Sequence, residues 1–466
     1  MKVVIAGNGI LSYTAALSLI TEDKSVEVSI IGPRDNKGCA SLAAAAMFNS
    51  FCEVDVGTFS NRFDKEKFLF NRRAAPLWVE YIKRLEELSH VKINHGFGTF
   101  LINNHSTDEL EDRNFDAILG ALSEFNEPHE MVKLNSVENY RPMPNDRGSR
   151  AVYIPREGWV NPIDLMNSLK IILERSERVV FRDGYAKRLN FQGDKIQDVE
   201  LECGESVSGD VFLLAAGANF SKIVDASNFD VQFPRIFYGV GASILLETGE
   251  NTLKNCVRTP NRGLACGLYA APQTSTKTLI GASNFISPIP EDGVRLTSLH
   301  GLVESSIRQL NSDFYRSQFV RSNIGWRPTS EDTVPLIGET SYENLIIATG
   351  TKRDGLHCSP LISEILCNLV LGKEQGIDIS LFKPEREPYK VYSREYAIKA
   401  SVDNIINASY QHGFKSAMNR MVEDMISYHT RELEELHDKV GAIDWGIPPE
   451  MINMYRYGHA TLVRNV

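Results

Sequence analysis

The sequence predicts an α/β protein (α+β overall): a doubly wound nucleotide domain built from separated pieces, an inserted antiparallel sheet and a helical tail. Three observations carry this. Met1-Lys-Val-Val-Ile-Ala-Gly-Asn-Gly9 is a short apolar strand running into a glycine turn and then a helical pattern (Ile10, Ala15, Leu17, Ile20). Two further buried-type strands ending in glycine, Asp210–Gly217 and Asn344–Gly350, lie far along the chain. β-rich stretches separate them, which suits a domain assembled from distant segments with another inserted between them.

The first turn is the most informative element. Strand, glycine turn and helix bring free backbone N–H groups and the positive helix end to one point, suited to a pyrophosphate, so a dinucleotide cofactor is expected. Gly7 and Gly9 occupy the first two positions of G-x-G-x-x-G, and Ser12 stands at the third. The second strand, Val26–Ile31, is followed by Gly32-Pro33-Arg34-Asp35 where an acidic residue for the ribose is expected. Either Asp35 substitutes, or a backbone group or water does. The bland alternative for the whole element is an apolar strand with a glycine turn.

Cys39–Met47 is a run of small residues that lets a helix approach a ligand or another backbone. Lys65–His90 and Thr107–Phe125 read as charged helices around a strand near Gly96–Ile102. Val179–Lys187 and Lys195–Leu201 read as strands, and Phe237–Glu247, Gly267–Ala271 and Thr278–Ser283 as an antiparallel sheet. Ser359–Leu371 is the helix after the Asn344–Gly350 strand. From about residue 386 helices return, at Tyr396–Tyr410 and Phe414–His437, the second with a methionine stripe (Met418, Met421, Met425) expected to pack on the body or on another subunit. Gly446-Ile-Pro-Pro449 stops the run.

Length and composition bound the function. At 466 residues the chain supports two or three domains. A net charge of −10 and pI near 5.6 argue against a nucleic-acid surface or an anionic-membrane anchor. No apolar run reaches the ~20 residues of a transmembrane helix. The N-terminus lacks a secretory pattern, and seven cysteines without a C-x-x-C pair suit reduced thiols, so a cytoplasmic protein is expected. Asn219 and Asn407 begin glycosylation sequons that carry no weight without secretion. The ten histidines show no zinc spacing, and no metal is expected.

Taken together, residues 1–375 resemble the D-amino-acid oxidase family of FAD-dependent oxidoreductases, in particular its glycine-oxidase and sarcosine-oxidase-like members. The resemblance is carried, in order, by Gly7-Asn-Gly9, Ser41–Met47, Gly158-Trp-Val-Asn-Pro162, Asp210–Ser221, Gly281-Ala-Ser283, Gly325-Trp-Arg-Pro328, Pro335-Leu-Ile-Gly338 and Ala348–Gly355. It implies a Rossmann-like FAD-binding domain over 1–60, 150–235 and 335–385, a substrate-binding domain over 61–149 and 236–334, and a helical C-terminal extension over 386–466. The extension has no counterpart in the family pattern.

It further implies FAD contacts from Gly7, Gly9, Ile10, Leu11, Ser12, Arg34, Ser41, Ala45, Met47, Val180, Ala216, Gly217, Gly325, Arg353, Gly355 and Leu356. Glycine at 325 stands where relatives carry the flavin-bonding cysteine, which implies non-covalent FAD. Gly350, Thr351 and Gly355 would aim backbone N–H groups at the flavin pyrimidine edge. Arg327 matches the arginine that clamps a substrate carboxylate; the alternative is pairing with a structural acid. Arg353 matches a second active-site arginine, or is a loop or surface residue. Tyr269 matches a tyrosine over the substrate, or packs in the sheet core. Cys358 reads as a core thiol. The implied reaction is hydride transfer from a C–N bond of an amine or amino acid to flavin, with O2 as acceptor and hydrogen peroxide as product. The rivals are a dehydrogenase passing electrons to a quinone or partner protein, and a flavoprotein subunit of a larger complex. Phe237-Tyr-Gly239 replaces a Lys-Gly-Gln stretch common in the family, so the cavity is expected to differ. A homo-oligomer or a partner protein is expected to use the C-terminal helices.

Overall fold

A computed structural model describes residues 1–104, 109–263, 267–411 and 418–461. Thr107 and Phe414, named above as ends of expected helices, and Cys266, one of the seven cysteines, lie outside the described residues. A six-stranded sheet runs in the order Leu336–Glu339, Leu345–Thr349, Val211–Leu214, Lys2–Ala6, Glu27–Ile31, Val179–Arg182, all parallel except the first. The strand Lys2–Ala6 has Glu27–Ile31 on one side and Val211–Leu214 on the other. Strand order therefore reverses beside it, and the crevice at its carboxyl end is where such sheets bind ligands.

Alternation along Lys2–Ala6 explains its burial on both faces. Val3 and Ile5 face a core with the helices Ile10–Glu22, Pro162–Glu174 and Ser359–Val370, including Ala15, Leu169 and Ile362. Val4 and Ala6 face a second core under the three-stranded meander of Ala186–Gln192, Lys195–Leu201 and Ser206–Ser208. The expected strand Val179–Lys187 is two strands, broken at Asp183-Gly184-Tyr185, where Gly184 takes φ +137°. The expected helix over Lys65–His90 is likewise two, Arg62–Ala74 and Trp78–Ser89, parted at Pro76. The small-residue run forms only a four-residue helix, Ala40–Ala43, before the chain enters the strand Met47–Phe48.

The second sheet has ten strands and is built around Ile236–Glu247, whose whole length pairs antiparallel with Gln318–Ser330. One of its strands, Arg150–Val160, carries a buried acid. Glu157 accepts from the backbone N–H groups of Phe51 and Cys52, yet burial pushes its carboxyl up to about 7. The folded chain thus keeps a proton that the unfolded chain releases near the ordinary value of 4.5, and stability falls as pH rises between the two. Glu157→Gln, neutral throughout, is expected to be about 1–3 kcal/mol more stable than the parent at pH 8 and closer to it at pH 5. Thermal unfolding at the two pH values measures this, and an equal difference at both would contradict it.

The C-terminal extension forms its own core. Ile398 and Val402 of the helix Arg394–Gln411 pack with Leu433 and Leu436 of Asn419–Lys439, and with Trp445, Met451 and Met454. Phe237 of the ten-stranded sheet joins this cluster, so the extension is seated on the body. The methionine stripe contributes less than its spacing suggested: Met425 is partly buried, while Met418 and Met421 stand in solvent. Polar anchors hold the seat. Arg386 makes a buried ion pair with Asp332 at 3.0 Å, and Tyr455 donates to Glu331 at 3.1 Å. Among the described residues no helix is long and apolar enough to cross a membrane.

Candidate active site

At the reversal point Gly7 takes φ +129°, and a Cβ there would lie 2.1 Å from the Ala215 carbonyl oxygen, so only glycine lets the neighbouring strand pass. Gly9 differs. Its φ is −82°, and a Cβ would meet nothing closer than the Ser41 hydroxyl at 3.4 Å. The protein itself has room for a side chain at 9, and what that side chain would occupy is the cleft. The helix Ile10–Glu22 starts here, with first-turn N–H groups that have no intrahelical acceptor. Ser41 Oγ accepts from the Ile10 N–H at 3.0 Å, tying the small-residue segment to the turn.

The cleft is open to solvent and takes in about 1310 Å³. It runs from Gly7–Leu11 past Ala215–Asn219 to Trp326–Pro328 and the loop Thr351–Leu356. A glycine turn, a helix N-terminus and a long hollow that a Cβ at Gly9 would enter fit the pyrophosphate of a dinucleotide. Of the expected cofactor residues, Gly7, Gly9, Ile10, Leu11, Ser41, Ala216, Gly217, Gly325, Arg353, Gly355 and Leu356 line it.

Five others stand off it. Ser12 is fully buried with its hydroxyl unpartnered. Arg34 is exposed and pairs with Asp183 at 3.4 Å. Ala45 and Met47 pack with Tyr269 and Leu279. Val180 is 43% exposed on its strand. Beyond the break in that strand, Gly184, Tyr185 and Ala186 line the cleft instead. Asp35 is engaged by the Tyr185 hydroxyl at 3.2 Å and the Lys37 N–H, while Asn36 and Lys37 reach the cleft wall.

Gly325 is closely packed, since a Cβ there would meet Ala43 at 2.8 Å. Two residues on, Arg327 points along the sheet into the cleft. Its guanidinium crosses Gly241, where a Cβ would lie 2.2 Å from Nη1, and Nη1 donates to the Ser283 carbonyl at 3.1 Å and Asn284 Oδ1 at 3.0 Å. Both acceptors are neutral, and among the described residues Arg327 forms no ion pair. Tyr269 is only 4% exposed and packs with Ala45, Leu245 and Leu279 rather than lining the cleft.

Arg353 does line the cleft and is ion-paired to Glu53 at 3.0 Å. Glu53 also binds Arg258, which is fully buried. Burial alone would raise the Glu53 carboxyl, but Arg258 and Arg353 outweigh it and hold it down at about 2. Neither Glu53 nor Arg258 stood out in the sequence, because a pair 205 positions apart leaves no local pattern. Lys352 was missed as well; it lines the cleft and pairs with Glu450 of the extension. Cys358 donates to Asn71 Oδ1 at 2.9 Å, and burial pushes its thiol well up, in keeping with a core thiol.

Comparison with known proteins agrees with this architecture. Curated relatives include the glycine oxidase of Geobacillus kaustophilus, 25% identical over 244 residues (52% of this chain, 61% of the relative), and that of Pseudomonas aeruginosa, 28% identical over 240 residues (50% and 62%). A D-amino acid dehydrogenase of Helicobacter pylori is 24% identical over 271 residues (54% and 60%). These alignments span about three-fifths of the relatives' own lengths. In fold, the chain is similar to the crystal structure of the Geobacillus kaustophilus glycine oxidase, with TM-score 0.70 at 20% identity, covering 83% of this chain and 98% of that one. It is similar as well to the iminodiacetate oxidase of Chelativorans sp. BNC1, with TM-score 0.69 at 18% identity (82% and 98%). The family profile for FAD dependent oxidoreductases matches residues 2–369, and the chain belongs to that family, the DAO family, with FAD as its cofactor.

Proposed function

We propose that the protein oxidises the C–N bond of an amino acid or carboxylate-bearing secondary amine. The observation that carries this is Arg327: a half-buried guanidinium in the cofactor cleft, steadied by two neutral acceptors and left without a carboxylate among the described residues. A planar guanidinium so placed binds a substrate carboxylate through two parallel charge-assisted hydrogen bonds. When bound, FAD supplies the acceptor for a hydride from the carbon bearing nitrogen, leaving an imine that water hydrolyses, with O2 as the final oxidant.

The chain's own part is positioning. Arg327 fixes the carboxylate and thereby the reacting carbon, and a deprotonated amine needs no dedicated protein base. The loop Thr351–Leu356, which precedes the helix Ser359–Val370, brings backbone N–H groups to the cleft, where they favour developing negative charge. Gly7–Leu11 take the pyrophosphate. Non-covalent attachment is supported by Gly325, which offers no nucleophile, and by Cys39, whose thiol lines the cleft but is pushed up by burial into its unreactive neutral form. We divide the chain into cofactor domain, substrate domain and extension along the two sheets and the tail core, with the strand Arg150–Val160, expected in the cofactor domain, going to the second sheet, where it pairs with His95–Asn103.

An anaerobic absorbance titration of the purified holoenzyme with amino acids and amines tests the reading. Loss of the flavin band is expected with at least one carboxylate-bearing amine, and admitting air is expected to restore it with release of hydrogen peroxide. Bleaching that O2 leaves in place but a quinone reverses would assign a dehydrogenase. A flavin that no amine bleaches would overturn the proposal.

A further inference from the structure

A second hollow, of about 990 Å³, adjoins the cofactor cleft and has no part in the chemistry proposed so far. Its walls come from the Ser50–Thr58 segment, the helix Arg62–Ala74, the loop Gly350–Asp354 and the C-terminal extension. Thr351, Lys352 and Arg353 belong to both hollows, so the two meet along one short stretch of chain. The extension closes the far side with Tyr392, Tyr396 and Glu450.

The cations in this wall are committed. Lys67 Nζ binds Asp64 at 2.6 Å and the Thr333 carbonyl at 3.0 Å. Lys352 is held by Glu450, and Arg353 by Glu53 at 3.0 Å. The acceptors are not committed to the same degree. Among the described residues, Glu450 Oε2 is buried without a hydrogen-bond partner. Glu53 Oε2 lies in the ion pair with Arg353 but accepts no hydrogen bond. Asp354 lines the hollow, and its carboxylate has neither an ion pair nor a hydrogen bond among the described residues.

A buried carboxylate oxygen without a donor is costly, and the five acids in the wall (Glu53, Asp55, Asp64, Asp354, Glu450) outnumber its three cations (Lys67, Lys352, Arg353), so the hollow has room for one more donor group and one more positive charge. An ammonium group supplies three donors and one charge and asks for no acceptor of its own. The stacked rings of Tyr392 and Tyr396, 5.3 Å apart, add aromatic wall of a kind that tolerates a cation.

We propose that this second hollow seats the side-chain ammonium of a basic amino-acid substrate, against the carboxylates of Asp354 and Glu450 in its wall, while the reacting end lies in the cofactor cleft. The proposal rests on the amino-acid oxidation proposed for the cofactor cleft. It gives the extension a chemical role, because Glu450 completes a specificity pocket on a chain whose family match ends at residue 369.

The test compares lysine and ornithine with their uncharged analogues norleucine and norvaline, both enantiomers of each, on the anaerobic holoenzyme. Two signals are followed separately: perturbation of the flavin band, which reports binding, and its bleaching, which reports oxidation. The charged pair is expected to bind at least about tenfold tighter than the uncharged pair, the scale of one partly buried ion pair. Asp354→Asn and Glu450→Gln are each expected to shrink that preference with FAD content and melting temperature retained. Equal affinity of parent enzyme for lysine and norleucine would overturn the proposal, and this comparison needs no variant. Preferential binding of lysine without any bleaching would leave the pocket standing and remove the oxidation reading. Equal binding and bleaching by both classes would do the reverse.

Discussion

Gly9→Val is expected to give folded, colourless protein. Most glycine substitutions at a cofactor turn are ambiguous, because loss of the ligand and loss of the fold arrive together. Gly7 is such a case: a Cβ there would lie 2.1 Å from the Ala215 carbonyl oxygen, at a φ of +129° that side chains avoid. Gly9 separates the two effects. Its backbone angle suits any residue, and its nearest protein neighbour, the Ser41 hydroxyl, lies 3.4 Å from the would-be Cβ. The branched side chain therefore projects into the hollow where the helix N-terminus would meet the pyrophosphate. Parent and variant should have similar circular dichroism, while the variant elutes without the flavin absorbance and does not regain it with added FAD. A yellow Gly9→Val protein would remove the pyrophosphate from this turn, and the rest of the cofactor path with it.

What the sequence made legible follows a physical division between local and distant causes. The strand Lys2–Ala6, its glycine turn and the helix after it were readable because each signal sits within a few residues: apolar alternation, a positive-φ glycine, helical spacing. That Val211–Leu214 and Leu345–Thr349 belong to the same domain as that strand was readable from their apolar runs ending in glycine; in the sheet Val211–Leu214 pairs with it and Leu345–Thr349 lies one strand further out. Val180, expected at the adenine, stands exposed off the cleft: the strand breaks at Gly184, and the chain lines the cleft at Gly184–Ala186. Ala45, Met47 and Tyr269 came from the family pattern, whereas here they pack against one another beside Leu245 and Leu279. The Arg258–Glu53–Arg353 group was invisible because ion pairing across 205 and 300 positions has no period to detect. The stripe at Met418 and Met421 shows the converse limit: helical spacing reveals a face, but not whether anything covers it.

Arg327→Ala is expected to lower kcat/KM for carboxylate-bearing substrates by about 2–5 kcal/mol, or roughly 30-fold to several thousand-fold, while FAD content stays at one per chain. The size follows from where the guanidinium stands. A fully exposed arginine would lose little on truncation, because water screens its partner. Arg327 is half-buried, donates to Ser283 and Asn284, and has no carboxylate partner among the described residues, so its charge is available to the substrate. Arg353 is a weaker substitute. It is already bound to Glu53, and Glu53 is held ionised at about 2 by that contact and by Arg258. Loss of a carboxylate clamp, rather than general damage, has a signature. The decarboxylated amine of the same side chain should be turned over by the variant about as well as by the parent, and the amino-acid-to-amine ratio should collapse. Arg327→Lys should recover part of the ratio, since an ammonium keeps the charge but not the planar fork. A variant that loses activity equally on amino acid and amine would place Arg327 in the framework of the sheet, beside Gly241, and leave the substrate carboxylate without its partner.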